Sequence, residues 1–271
     1  MRAGLLTRAQ LQGPAWRRLF KDVYADANLD VTHLLKCRAA ALTLPPGAAL
    51  TGRSAACWDG LPVGDADDPV WVVVPAGTQF QMRGIKVRRA WLPTGHVLAG
   101  EPPVTVPQRT AWEIAREHDL VDAVAALDVL FHHKRPAQEA MTAWTAVHPH
   151  SRAAKAIGLA DGRAESPQES RVRVRLILAG FPPPVPQHEV RMDKIFVARL
   201  DLAWPAAKVA VEYDGEWHAD ARQFVRDRAR LNKLVDAGWV VLHMTKRDLS
   251  DPLLFANFTS QLRAALLRAN S

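Results

Sequence analysis

The chain has 271 residues, 48% of them hydrophobic and 23% charged, a composition that fits an ordinary globular protein with room for two domains and excludes a fibrous or disordered one. No window approaches the ~18 consecutive apolar residues of a membrane span, and the start lacks an apolar signal core, so the chain is read as soluble and cytoplasmic. Two cysteines, Cys37 and Cys57, without a C-x-x-C pair, exclude a zinc knuckle or a disulfide framework and read as core residues; a net charge of +7, shared by both halves, favours polyanionic partners.

In chain order, Leu6 to Tyr24 reads as a small helix-turn-helix piece: Thr7 caps a helix through Leu11, Gly13-Pro14 breaks it, and Trp16 to Phe20 resumes it. A helix follows from Thr32 to about Leu42, then a short one from Gly52 to Trp58. Strands are expected at Val70 to Val74, Lys86 to Leu92 and around Val104 to Val106. Helical periodicity returns in Arg109 to Glu117, Leu120 to Phe131, Ala137 to Val147 and Ser151 to Leu159, which are expected to close the first domain. The polar segment Ala160 to Glu165 has linker composition. Domains are therefore expected at 1–30 (abbreviated helix-turn-helix), 31–160 (middle domain) and 161–271.

Ser166-Pro-Gln-Glu169 is a capping box with proline at the first helical position, and it starts a helix that runs to Ala179. Strands follow at Gln187 to Val190, Phe196 to Ala203 and Lys208 to Tyr213. A helix from Asp220 to Asp236, a strand from Trp239 to Met244 and a helix from Pro252 complete the chain. The order α-β-β-β-α-β-α describes an α/β domain of the α+β type with a mixed sheet.

The last domain places acids inside runs that otherwise read as buried strands. Unpaired carboxylates are costly there and are normally neutralised, paired or given to a metal. Strand alternation puts Glu212 and Asp214 on one face. A hairpin loop at Trp204 to Ala207 would pair Asp201 with Ala210, diagonal to Glu212, so that three carboxylates converge. Hard oxygen donors with little histidine select magnesium, or manganese. Each acid also has a structural reading. In that register Arg199 sits opposite Glu212 as a cross-strand ion pair, Asp214 shapes a turn before Gly215, and Glu169 is explained by its capping box. His218, near a helix start, has either a solvated or a chemical role. Arg226, Arg230 and Lys233 form a basic stripe opposite Phe224, Leu231 and Val235, which tracks phosphates or is a solvated helix face. His132, His133 and His188 lack acidic company and read as surface or loop residues.

These residues resemble the PD-(D/E)XK nuclease superfamily, and more closely its branch similar to very-short-patch-repair (Vsr) endonucleases. The matching positions are Glu169 in the first helix, Asp201 on a strand, Glu212-x-Asp214-Gly215, and His218. Further matching positions are Arg226-Asp227, Arg230, Leu234, Gly238, Val241-Leu242 and Thr245 to Leu249, so the likeness covers roughly 165–250. It implies a restriction-endonuclease-like fold in which Asp201 and Glu212 hold a magnesium ion, Asp214 is a further ligand or an orienting acid, and His218 moves the proton of an attacking water. The superfamily commonly has lysine where this chain has Asp214.

Met1 to Leu11 and Trp16 to Tyr24 are similar to an abbreviated N-terminal winged helix of AbiEi-type antitoxins. Leu50 to Leu61 and Val106 to Trp112 are similar to that family's middle region. This likeness implies a DNA-facing role and, in the regulator form, a cognate toxin. Gly52-Arg-Ser54 lacks the second glycine of a nucleophile elbow, and the sequence has no P-loop or dinucleotide fingerprint. The expected activity is magnesium-dependent DNA cleavage, with DNA as partner and a homodimer as an open possibility. The alternative is a DNA-binding regulator or antitoxin that keeps an inactive nuclease fold.

Overall fold

The computed structural model describes residues 6–215 and 230–269. The chain divides into two compact units: the described residues up to His118 with His133–Gly158, and Asp119–His132 with the described residues from Leu159 onward.

The first unit opens with α1 (Arg8–Leu11), closed by a capping box in which Thr7 accepts the Gln10 N–H and Gln10 accepts the Thr7 N–H. Trp16–Phe20, expected to resume the helix, is instead a strand (β1) paired antiparallel with β2 (Val23–Asp26). Five residues are too few for a 3.6-residue period to decide the matter. The pairing wins because it places Phe20 and Val23 in a core with Cys37, Leu50, Val70 and Val72. The helix-turn-helix expectation is thus corrected to a helix followed by a hairpin.

α2 (His33–Ala41) starts at Thr32, whose hydroxyl accepts the Leu35 N–H. β3 (Ala49–Leu50), α3 (Gly52–Trp58), β4 (Val70–Pro75), β5 (Ile85–Ala90), β6 (Val97–Leu98) and β7 (Val104–Thr105) follow. The five strands from β3 on form a sheet of order β5-β4-β3-β7-β6. Gly52, at φ +52, opens α3 against Trp71, where a Cβ would come within 2.3 Å of the indole and could not be accommodated without displacing it. After α4 (Pro107–Ala115) the chain enters α5 (Leu120–His132) and continues through a 3-10 turn at Gln138–Met141, α6 (Thr142–Val147) and α7 (Arg152–Leu159).

The helix α5 belongs to the second unit, a correction to its expected place in the first. Its partner is α8 (Pro167–Leu178), and the cause is a buried ion pair: Arg173 donates to Asp128 at 2.8 Å, and Asp128 also accepts the Asp161 N–H at 2.6 Å. Burial pushes the Asp128 carboxyl up despite the guanidinium. A residue pair so enclosed fixes the two helices because either partner alone would be an uncompensated charge.

β8 (Val185–Met192), β9 (Ile195–Trp204), β10 (Val209–Asp214) and β11 (Val240–Thr245) form the second sheet, in the order β11-β10-β9-β8. The β8–β9 and β9–β10 pairs are antiparallel and β10–β11 is parallel, so the sheet is mixed. Residues 230–236 are helical, and α9 (Lys246–Ser250) and α10 (Pro252–Arg268) end the described chain. β10 is covered on both faces. Val209 and Val211 join Val172, Leu176, Met244 and Leu262, while Ala210 joins Leu200, Leu234 and Trp239. Among the described residues 230–236 Leu234 is thus the buried one and Val235 is exposed, not on the apolar face expected of it. Among the described residues no helix is long and apolar enough to cross a membrane.

Candidate functional site

The hairpin between β9 and β10 sets the site. Pro205–Ala207 makes a 3-10 turn, Lys208 takes a left-handed backbone at φ 47, and Trp204 is the last residue of β9. The register is Trp204 with Val209, Ala203 with Ala210 and Leu202 with Val211. It lies two residues from the expected one, so Asp201 comes level with Glu212 while Arg199 does not. On the other side, Pro186 pairs with Leu202 and His188 with Leu200, which brings Gln187 level with Asp201. Glu212 in turn pairs with His243. A polar row, Gln187–Asp201–Glu212–His243, therefore crosses all four strands.

The ladder gives way at this row. Asp201 Oδ2 accepts the Tyr213 N–H at 3.0 Å, taking the place of a strand carbonyl. Gln187 sits at φ 52, a left-handed conformation that costs a non-glycine residue on the order of 1 kcal/mol or more. Its amide reaches Glu169 Oε2 at 2.7 Å, and the same oxygen accepts the Glu165 N–H at 3.1 Å. Ser166 caps the Glu169 N–H as the capping box requires, but the Glu169 carboxylate bonds Glu165 and Gln187, so it is committed beyond the helix cap.

Asp201 is the perturbed acid. Burial, followed by the nearby Glu169 and Glu212 charges, raises its carboxyl from 3.8 to about 6, against the opposing Tyr213 bond and Arg230. Glu212 is buried, and its Oε2 accepts from Arg230 at 2.5 Å. Its Oε1 is buried without a hydrogen-bond partner among the described residues. Arg230 also leans on the Arg199 carbonyl at 3.4 Å. Arg199, expected as the partner of Glu212, instead pairs with Glu165 at 2.6 Å, because the two-residue register shift moves it away. Asp214 stands beside His243, Oδ1 to Nδ1 3.1 Å, and is not among the groups that act on Asp201. His218 and Arg226 lie outside the described residues. Lys233 is exposed on the helical stretch 230–236.

No family model matches the chain, and no solved structure matches it. Two Mycobacterium tuberculosis proteins, uncharacterized protein MT2308 of strain CDC 1551 / Oshkosh and uncharacterized protein Rv2248 of strain ATCC 25618 / H37Rv, are similar to it. Each is 34% identical over 150 residues, 54% of this chain and 55% of the relative. The chain thus spans about half the length of the curated relatives it matches.

The donor set of Asp201 and Glu212 suits a hard divalent cation. One buried Glu212 oxygen is unclaimed among the described residues, and Asp201 has spent one oxygen on Tyr213, leaving the other outside that bond. Among the described residues no group of three or more histidine, cysteine or acidic side chains is arranged to hold a metal. A two-carboxylate site is still of the kind magnesium uses, since that ion keeps several waters and binds through one or two carboxylates plus substrate phosphates. Gln187, His243 and Glu165 were not singled out from sequence. The first two become visible once strand register is known, because they stand level with the acids. His188, read as a lone loop histidine, lies in β8 with its ring 5.5 Å from Trp239, and His132 Nδ1 is 3.0 Å from the Gly162 carbonyl oxygen.

Proposed function

We propose that this chain is a magnesium-dependent DNA endonuclease whose second unit carries a restriction-endonuclease-like, Vsr-like site at Asp201 and Glu212. The observation that carries the reading is the buried Glu212 Oε1, unclaimed among the described residues, beside an aspartate raised to about 6 by burial and by two neighbouring carboxylates. Acids forced together at a break in a sheet lower the stability of the chain alone, and a bound cation would repay that.

Asp201 and Glu212 would hold the ion, which when bound polarises a phosphodiester and acidifies water. Gln187 orients Glu169 so that its charge stays on the site. Arg230, paired with Glu212, is the cation that would turn to a substrate phosphate. His218 would move the proton of the attacking water, and Asp214, with His243 beside it, would be a further ligand or an orienting acid. Arg226 and Lys233 would track the backbone. The test is nicking of supercoiled plasmid: cleavage with magnesium or manganese that chelator and Asp201→Ala both abolish supports the reading. Undiminished cleavage by Asp201→Ala overturns it.

A second reading, a DNA-binding regulator or antitoxin with an inactive nuclease fold and a cognate toxin as partner, is favoured by one observation. Arg230 already gives Glu212 an internal counter-charge at 2.5 Å. That reading predicts salt-sensitive DNA binding with no cleavage in any metal.

A further inference from the structure

The first unit carries positive charge that the carboxylate site does not use. A cavity of ≈ 300 Å³ is lined by Lys86, Arg88, Arg89 and Arg116, with Glu113 and Glu117. A second cavity, of ≈ 580 Å³, is lined by Arg116, Trp112, His148, His150 and Arg152 and includes no carboxylate. Arg116 belongs to both linings, so the two concavities adjoin.

Both carboxylates of the first lining are already taken. Arg53 holds Glu117 through two bonds, at 2.7 and 2.9 Å, and Glu113 is shared by Arg88 at 2.8 Å and Arg109 at 2.7 Å. Arg89 spends its guanidinium on the carbonyls of Thr78 and Phe80, and Lys86 Nζ stands 3.7 Å over the Trp71 ring. Lys86, Arg116 and Arg152 make no ion pair among the described residues. Burial, then the neighbouring Arg88, hold the Arg116 guanidinium below its usual value; burial foremost, and also Arg53, lower Lys86. Lys86 and Arg116 are crowded and only partly compensated by Glu117 and Glu113, a state that an incoming anion relieves, and Arg152 is an exposed cation of the second lining. One phosphate would satisfy one cavity. Two adjoining cationic cavities joined through a shared arginine fit phosphates spaced along one strand.

We infer that the two cavities form a phosphate track for a nucleic-acid strand, held by Lys86, Arg116 and Arg152 of the first unit. The track takes its ligand class from the nuclease reading but is separable from cleavage, because it is read without metal. The assay is fluorescence anisotropy of a labelled oligonucleotide of about 20 nucleotides, single-stranded or duplex, titrated with the whole 271-residue chain carrying Asp201→Asn, in chelator at several salt concentrations. The triple variant Lys86→Ala/Arg116→Ala/Arg152→Ala is expected to bind about tenfold more weakly or worse, with a log–log salt slope shallower by about 2 to 3. A charge-matched control, Arg38→Ala/Arg83→Ala/Lys155→Ala, removes exposed cations from neither lining and is expected to stay within about twofold. Arg116→Gln alone, which keeps a polar side chain, is expected to weaken binding measurably and guards against misfolding of the triple. Equal losses in both triples would assign binding to diffuse charge and overturn the track. So would no loss in either triple, or displacement of the oligonucleotide by poly-glutamate at equal charge.

Discussion

Replacing Asp201 with asparagine should stabilise the metal-free protein near neutral pH and not in acid. The folded carboxyl titrates at about 6 against 3.8 when unperturbed, so between those values the native state binds more protons than the unfolded chain and stability falls as pH rises. A shift of about two units is worth ~3 kcal/mol, and water that still reaches part of the side chain trims this to about 2 kcal/mol. Asparagine is the informative substitution because its amide oxygen keeps the bond from the Tyr213 N–H while losing the charge that Glu169 and Glu212 repel. Urea unfolding in chelator would show Asp201→Asn more stable than the native chain by about 2 kcal/mol at pH 7.5, with the gap shrinking to a few tenths near pH 4. Equal stability at pH 7.5, or a gap independent of pH, would refute the claim that burial and neighbouring charge strain this aspartate.

Arg230→Ala leaves the buried Glu212 without its cation and should cost roughly 2–4 kcal/mol in chelator, somewhat less than breaking a fully buried pair because Arg230 is partly exposed. Saturating manganese should restore most of that loss in thermal melts if Glu212 is a ligand, and none if it is not. Asp128→Ala strands Arg173 between α5 and α8 and should destabilise the second unit by about 3–5 kcal/mol, while the double replacement by leucine and methionine should recover much of it. Denaturation curves of the single and double variants decide this. Burial pushes the Cys37 thiol up to about 12, so in a Cys57→Ser background the native chain should resist a thiol reagent at pH 8 and react on unfolding.

Local chemistry in the sequence marked most element edges. Thr7, Thr32 and Ser166 each cap the helix expected of them, and Gly52 to Trp58 is helical over the predicted span. The errors fall where pairing between elements decides. Trp16 to Phe20 becomes a strand because Val23 to Asp26 offers it a ladder. The β9–β10 register moves by two because the turn starts at Pro205, which keeps the facing of each side chain but exchanges Arg199 for Asp201 beside Glu212. α5 joins the second unit through Asp128 and Arg173, a pair that no local pattern announces. The acids themselves were legible because carboxylates in apolar strands are costly. Their supports, Gln187 and Arg230, were not assigned those roles, since a strained glutamine and a helix arginine acquire them only from the fold.

The most direct measurement is manganese binding by electron paramagnetic resonance, comparing the native chain with Asp201→Asn and Glu212→Gln. The nuclease account predicts that the native chain takes up the ion and that each substitution weakens uptake by tenfold or more, about 1.4 kcal/mol. Uptake unchanged by both substitutions, or absent from the native chain when DNA is present, would contradict a cation site at Asp201 and Glu212.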